Sequence, residues 1–384
     1  MPECYDGFMT LGSLISVFVS FILSLLGGLI PFPAHESGSP AVATSTPAIA
    51  ISTSTLPQAA STTVKAAPKK KPPVASKPLP SSTPIPSAPA QVSVPVTTIP
   101  IEELHQKAGK ALVNIFCTTK RDGSLKPITA SGILISPDGV ILTNAHAAQY
   151  YLLRNYREPG FIDCIVRAGS PAAPKYRASL LYLSPPWIAE NKAMITAEKQ
   201  LGTGENDFAL LLITGTTDGS PLPATFPYVP LAFEDSDIMD HPNADYLLAG
   251  YPAGFLGGNA IVSDLYQTST VGRIKQVYTF RDDTADLLSF GGSLLAQRGA
   301  SGGAAISEIG GKVSGIIVTT SEAAATGDRD LHIVTGGHIH RSFRQDTGRS
   351  LSDFLKSDLY SELRDFSSNV APELTLQLIN ELQK

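Results

Sequence analysis

The feature that most limits the fold of this 384-residue chain is a series of short apolar runs between about residues 101 and 345. Each run has the length of a β-strand, and turn sequences such as Pro-Asp-Gly, Gly-Ser-Pro and Gly-Gly separate many of them. The predicted strands cover residues 111–119, 128–135, 140–143, 161–168, 177–183, 208–213, 246–250, 269–280, 304–307 and 313–320. This spacing predicts an all-β domain over residues 101–345.

The C-terminal region, residues 346–384, has helical rather than strand periodicity. Its apolar residues recur in two groups: Leu351, Phe354, Leu355 and Leu359, then Leu374, Leu378 and Leu382. We expect a helical tail whose first helix packs on the β domain. For the second helix, a place in the core, a partner-binding role and a frayed end all remain open.

The N-terminal segment, residues 1–30, contains 23 uncharged residues from Phe8 to Ile30. That length spans a hydrocarbon core of roughly 30 Å as one helix, so we predict a transmembrane anchor. A cleaved signal peptide is the competing interpretation, although no Lys or Arg precedes the apolar run. Flanking charge does not decide the orientation.

Residues 31–100 separate the predicted anchor from the β domain. They contain 15 of the 30 prolines and a single aromatic residue, Phe32. Such a segment has too few large apolar side chains to offset the entropy lost on ordering, so we expect a disordered linker rich in Pro, Ser, Thr and Ala. A stalk of this kind favours an extracytoplasmic position for the domain, or secretion if the N-terminal segment is cleaved.

Three short segments of the β domain contain residues suited to covalent catalysis. His146 ends the sequence Thr-Asn-Ala-His after a predicted strand, Asp207 precedes the apolar strand 208–213, and Ser301 lies in Gly-Ala-Ser-Gly-Gly. A serine nucleophile needs an adjacent base, and the base needs an orienting acid, so the set predicts a serine hydrolase. Asp235 and Asp237 are weaker candidates for the acid because no apolar strand follows them.

The glycines around Ser301 are typical of a backbone turn that exposes a nucleophile. Gly299 and Gly303 permit conformations and close approaches that a Cβ atom would block. Apolar strands follow the turn, which indicates that it is held in a rigid hairpin.

Taken together, these three motifs resemble the trypsin-like serine proteases of the chymotrypsin fold, and most closely the bacterial HtrA/Deg-type branch. The resemblance covers about residues 101–343 and rests on SGILISPDGVILTNAHA, NDFALL and GASGG, in the order His, Asp, Ser. It implies a double six-stranded β-barrel with the active site between the barrels. Asp207 follows His146 by 61 positions, and Ser301 follows Asp207 by 94 positions. These intervals allow one barrel to supply His and Asp and the other barrel to supply Ser.

The resemblance also implies a role for each residue. His146 would be the general base, Asp207 would orient it, and Ser301 would attack the carbonyl carbon, while the N–H groups of Gly299 and Ser301 would bind the oxyanion. The chain departs from the family at Ala300, where trypsin-type zymogens have an Asp, so activation through a new N-terminus is not expected. We also expect no PDZ domain, since too few residues follow Phe343.

By the same analogy, residues 295–298 and 318–320 would form the primary substrate pocket. The predicted contacts are Leu295, Ala296, Arg298, Val318, Thr319 and Thr320. No acid lies among them, so we expect cleavage after small or medium apolar residues.

The remaining polar residues point to no cofactor and no metal site. Cys117 and Cys164 lie in predicted strands and are most simply buried thiols, although a disulfide in an oxidising compartment stays open. His338 and His340 would share one face of a strand, but no Cys or acidic cluster accompanies them. A net charge of −5 argues against nucleic-acid binding.

The sequence therefore predicts a membrane-tethered serine endopeptidase that processes proteins or peptides, or removes damaged ones, in the cell envelope. The alternative is a catalytically silent protease-like scaffold that binds peptides or envelope partners. A third interpretation keeps the chemistry but assigns an ester, or a site in the linker, as substrate. The oligomeric state is not predicted.

Overall fold

The computed structural model describes residues 97–120, 125–197, 202–280, 284–320 and 328–384. The predicted membrane anchor and, apart from residues 97–100, the predicted linker lie outside these ranges. Within the described residues, no helix combines the length and the hydropathy that a membrane crossing requires.

The first half of the domain is a closed six-stranded antiparallel barrel. Its strands follow the order β1-β2-β3-β6-β5-β4 around the barrel. They are β1 (Leu112–Thr119), β2 (Ile128–Leu134), β3 (Val140–Thr143), β4 (Ile162–Ala168), β5 (Ala173–Leu183) and β6 (Ala209–Thr216). All six were predicted from their apolar runs, and closure leaves this sheet without a free edge.

The second half is a seven-stranded antiparallel sheet in the order β8-β7-β11-β12-β13-β10-β9. Its strands are β7 (Tyr246–Gly250), β8 (Thr268–Gly272), β9 (Gln276–Tyr278), β10 (Leu287–Gly292), β11 (Ala304–Ser307), β12 (Val313–Thr320) and β13 (Asp330–Thr335). The expected second six-stranded barrel is therefore wrong in its strand count. The predicted strand 269–280 is split at residues 273–275, and its halves pair with opposite ends of the sheet. Because only three residues join the two edge strands, the sheet curls until its edges come close together.

Helices occur mainly at the two ends of the described chain. Helix α1 (Ile101–Ala111) leads into β1, and the short α2 (Ala145–Ala148) follows β3. Helices α3 (Pro185–Asn191), α4 (Ser236–Asp240) and α5 (Gly258–Ser263) lie between strands.

The C-terminal region is helical, as predicted. Its helices are preceded by α6 (Gly336–Thr347), which begins within the predicted β domain. They are α7 (Leu351–Phe354), α8 (Leu359–Asp365), a π-helical turn (Phe366–Val370) and α9 (Ala371–Leu382). Leu374 and Leu378 of α9 are buried in the main hydrophobic core with the strands of the first barrel, so the second predicted helix is a core helix. His338 and His340 lie in α6, so their backbone is helical and not extended.

Cys117 and Cys164 form a disulfide bond between β1 and β4. They are directly opposite in the register of the two strands, and both side chains are buried. The simpler expectation of two free thiols is therefore wrong, because antiparallel pairing brings these distant residues face to face.

We expect this disulfide to stabilise the first barrel measurably. It closes a segment of 47 residues, and removing such a cross-link costs about 2–4 kcal/mol through the entropy of the unfolded chain. Reductant should lower the midpoint of urea unfolding of the wild type, and Cys117→Ala/Cys164→Ala should unfold at that lower midpoint with or without reductant. An unchanged wild-type midpoint after complete reduction would contradict the expectation.

Candidate active site

His146 lies at the point where the first barrel turns from strand to helix. Strand β3 ends at Thr143, and the extended backbone of Asn144 begins the single turn of α2 that carries His146. The side-chain amide of Asn144 donates to the backbone carbonyl of Asp207 at 2.9 Å. The histidine is thereby tied to the start of the neighbouring strand β6, since β3 and β6 are paired.

Asp207 binds His146 with both of its carboxylate oxygens. Oδ1 accepts the backbone N–H of His146 at 2.9 Å, and Oδ2 lies 2.8 Å from the imidazole Nδ1. A carboxylate only accepts hydrogen bonds, so Nδ1 carries the proton and Nε2 is the nitrogen able to accept one. The pair is largely shielded from water, with side-chain exposures of 17% for His146 and 9% for Asp207.

The surroundings of His146 act on its pKa in opposite directions. Burial disfavours the imidazolium and lowers the pKa, while the charge of Asp207 and its hydrogen bond raise it. The effect of Asp207 prevails, and the pKa of His146 lies above its ordinary value of 6.5.

Ser301 lies in a turn whose shape requires glycine on both sides. Gly299 has φ of 89° and Gly302 has φ of 81°, in the left-handed region that favours glycine. A Cβ on Gly299 would lie 2.6 Å from the carbonyl oxygen of Tyr251, and a Cβ on Gly302 would overlap the carbonyl oxygen of Ser131. The turn is therefore packed against backbone on both sides.

The peptide groups of this turn are oriented by hydrogen bonds. The carbonyl of Arg298 accepts from the N–H of Ala253 at 2.8 Å, and the carbonyl of Ala300 accepts from that of Gly303 at 2.8 Å. In a trans peptide the N–H points away from the carbonyl, so the N–H groups of Gly299 and Ser301 face the opposite way. Neither donates a backbone hydrogen bond to another residue in the described part of the chain.

Ser131 connects the Ser301 turn to the first barrel. Its N–H donates to the carbonyl of Ser301 at 2.7 Å, and its hydroxyl donates to the carbonyl of Gly299 at 2.7 Å. Thr143 in turn donates its hydroxyl to the carbonyl of Ser131 at 2.7 Å. Because β2 pairs with β3, the strand that fixes Ser301 lies beside the strand that ends next to His146. The Ser301 turn is thus held against β2, and β3, which leads to His146, is the neighbour of β2.

A small cavity of about 20 Å³ lies beside the His146–Asp207 pair. Val318 of β12 lines one side of it. The other side belongs to residues 184–197 and 202–206, which lie between β5 and β6 and which we call the β5–β6 excursion. Its lining residues include Trp187, Asn191, Met194 and Gly204. Trp187 is only 3% exposed, so it is both a core residue and part of the cavity wall.

The residues predicted for the primary pocket differ in burial and do not form one surface. Leu295 and Ala296 are buried in the core of the second sheet, Arg298 is exposed, and Val318 lines the cavity. Thr319 and Thr320 continue β12 and pair with β13.

Ser131 and Gly302 lie within the motifs that contain His146 and Ser301, but their contacts across the seam between the two sheets depend on the tertiary fold. The residues of the excursion that line the cavity belong to none of these motifs. They reach the cavity because β5 and β6 pair in the barrel. No group of residues suited to holding a metal ion occurs within the described ranges.

Part of the chain is similar to known proteins. Residues 130–316 match the sequence profile of the trypsin-like peptidase domain. The chain is also similar to the active form of the Rv3671c protease from M. tuberculosis, with 18% identity over 69% of this chain and 95% of that one and a TM-score of 0.38. A serine endoprotease from Yersinia pestis has 20% identity over 67% and 70% of the two chains and a TM-score of 0.39. No curated protein matches the sequence.

The opposing influences on His146 give a prediction for Asp207→Asn. Burial remains in this variant while the charge is removed, so the pKa of His146 should fall below 6.5, as NMR titration of its ring protons would show. In the wild type the raised pKa means that the folded state binds the proton more tightly. The pair therefore adds stability fully below about pH 6.5, the unfolded value, and this contribution is lost as pH rises through the folded-state pKa.

The control for this titration is Asp218→Asn, which neutralises an exposed acid outside the site. It should leave the His146 titration unchanged. A wild-type pKa at or below 6.5 would show that burial outweighs Asp207.

Proposed function

Because its residues 130–316 form a trypsin-like peptidase domain, the chain is a serine endopeptidase, and we propose that His146, Asp207 and Ser301 are its catalytic triad. The observation that supports this proposal is the hydrogen-bonded His146–Asp207 pair, which follows the strand beside the one that holds the Ser301 turn. Asp207 holds the imidazole of His146, and Ser131 fastens the Ser301 turn to the strand beside it.

In the proposed mechanism, Nε2 of His146 takes the hydroxyl proton of Ser301 as Oγ bonds to the carbonyl carbon of the substrate. The negative charge that forms on the carbonyl oxygen is stabilised by the N–H groups of Gly299 and Ser301, a contribution of roughly 10²–10³ in rate for each donor. The C–N bond then breaks, and His146 returns the proton to the leaving amine. Water attacks the acyl-enzyme by the same route and releases the acid.

The role of Asp207 follows from its two contacts with His146. By accepting from Nδ1 it keeps the proton off Nε2, which must be free to act as the base. By accepting from the backbone N–H of His146 it also fixes the helical turn that carries the ring. As the imidazolium forms, the carboxylate offsets its charge.

The substrates of this class of enzyme are proteins and peptides, and we propose that small or medium apolar side chains occupy the primary pocket. Of the apolar residues predicted for that pocket, Leu295 and Ala296 are buried in the core, so the proposal rests on the apolar side chain of Val318. Val318 also borders the cavity beside His146.

We further propose that the domain works outside the cytoplasm, tethered by the N-terminal apolar segment, in protein processing or quality control at the cell envelope. The disulfide between Cys117 and Cys164 supports this position because disulfides persist in oxidising compartments. The alternative of a silent scaffold makes the opposite prediction for nucleophile reactivity.

A fluorophosphonate probe tests the proposed nucleophile. It should label the full-length wild type in detergent, whereas Ser301→Ala should lose labelling and at least about 10³ in kcat/KM on a peptide substrate. Ser220→Ala, which removes a hydroxyl from an exposed turn, is the matched control and should be labelled like the wild type. A folded wild-type protein that resists labelling would favour the scaffold.

A peptide library tests the proposed specificity. We expect cleavage after residues such as Ala and Val, because the predicted pocket contains no acid to pair with a basic side chain. Mass spectrometry of the products gives the preference directly. A profile dominated by cleavage after Arg or Lys would refute it, and turnover of esters without cleavage of peptides would assign a different substrate class.

A further inference from the structure

The residue just before Asp207 has an unusual backbone conformation. Asn206 has φ of 58°, in the left-handed region that residues with a Cβ rarely adopt. Its carbonyl accepts the N–H of Phe208 at 2.8 Å, so the chain turns sharply around Asp207. The direction of the Asp207 carboxylate therefore depends on the conformation that Asn206 maintains.

A hydroxyl group from the C-terminal helix α6 holds Asn206 in this conformation. Ser342 is buried, and its Oγ donates to Oδ1 of Asn206 at 2.6 Å. The two residues lie 136 positions apart, so this contact comes from the tertiary fold and not from the turn itself.

The same face of α6 is fixed to the other end of the β5–β6 excursion. Asp346, one helical turn after Ser342, accepts from the hydroxyl of Tyr182 at 2.7 Å and from that of Ser184 at 2.8 Å. Burial and the charge of Asp346 raise the pKa of Tyr182, so its hydroxyl keeps the proton that it donates. Phe343, between the two anchoring residues, packs on the ring of Tyr182.

The far side of the excursion is also supported by the C-terminal region. Helix α9 packs against α3 and against the 3-10 turn Lys192–Ile195, both of which belong to the excursion. The hydroxyl of Thr375 in α9 donates to the carbonyl of Ala371 in its own helix at 2.7 Å and lies 3.3 Å from the carbonyl of Leu152, in the turn that follows α2. Ser184 and Asn206, at the two ends of the excursion, are thus hydrogen-bonded to α6, while α3 and the 3-10 turn pack on α9.

We propose that Ser342 is a positioning residue of the protease: through Asn206 its hydroxyl aligns the carboxylate of Asp207 with His146, and Asp346 holds α6 in the place from which Ser342 acts. This inference rests on the proposed catalytic roles of Asp207 and His146. Within the described part of the chain, Ser342 makes no hydrogen bond to Asp207 or His146. Its effect passes through the backbone of residue 206.

The test compares Ser342→Ala and Asn206→Gly with the wild type. Loss of one neutral hydrogen bond should lower kcat/KM about three- to tenfold, mainly through kcat. The acid limb of the pH profile should shift to lower pH, because a displaced carboxylate raises the pKa of His146 less. Asn206→Gly can still adopt the left-handed backbone but has no side-chain oxygen to accept the hydrogen bond. Because both substitutions remove the same hydrogen bond, the double variant Ser342→Ala/Asn206→Gly should be no slower than the slower of the two single variants.

The matched control is Thr347→Ala, which removes a hydroxyl from the same helix. Among the residues that the structure describes, that hydroxyl bonds to the backbone of residues 343 and 349, so kcat/KM and the pH profile should stay at the wild-type values. If Ser342→Ala unfolds, Asn206→Gly tests the same hydrogen bond from its other end.

Two results would overturn the inference. One is a folded Ser342→Ala or Asn206→Gly that keeps the wild-type kcat and acid limb; the other is full additivity of the two changes. Failure of the proposed triad would give a different result. Asp207→Asn and His146→Gln would then retain wild-type activity, whichever effect Ser342→Ala has.

Discussion

The site depends on the close approach of two backbones at the seam between the barrel and the second sheet. Gly302 lies so near the carbonyl of Ser131 and the hydroxyl of Thr143 that any side chain there would force the two halves apart. That closeness allows Ser131 to bind the carbonyls of both Ser301 and Gly299. The turn therefore takes its position from a strand of the other half, and this strand runs beside the one leading to His146.

Much of this arrangement could be predicted from local sequence. The six strands of the first barrel are apolar runs bounded by turn residues, and the His, Asp and Ser motifs lie at strand ends, where side chains reach a cleft. The glycines around Ser301 predict a special turn because only glycine tolerates its φ values. In each case the deciding interactions lie within a few residues of the motif.

The features that escaped prediction depend on contacts between distant parts of the chain. Strands β10 and β13 combine apolar residues with Gly, Ser, His and Asp, and become strands by pairing with each other. The split between β8 and β9 follows from the two ends of one apolar run joining opposite edges of a sheet. Likewise, the partner of Cys117 depends on strand register, and the partner of Asn206 lies on a helix 136 residues away.

The opposing effects of burial and of the Asp207 charge on His146 make the alignment of the Asp207 carboxylate important. A shielded imidazole resists protonation, yet the proposed reaction requires it to take a proton from Ser301. Asp207 offsets that resistance only while its carboxylate stays aligned with Nδ1, because a charge-assisted hydrogen bond weakens steeply as its angle falls. The left-handed backbone at Asn206 is tolerated for the same reason: it keeps that carboxylate directed at the ring before any substrate binds.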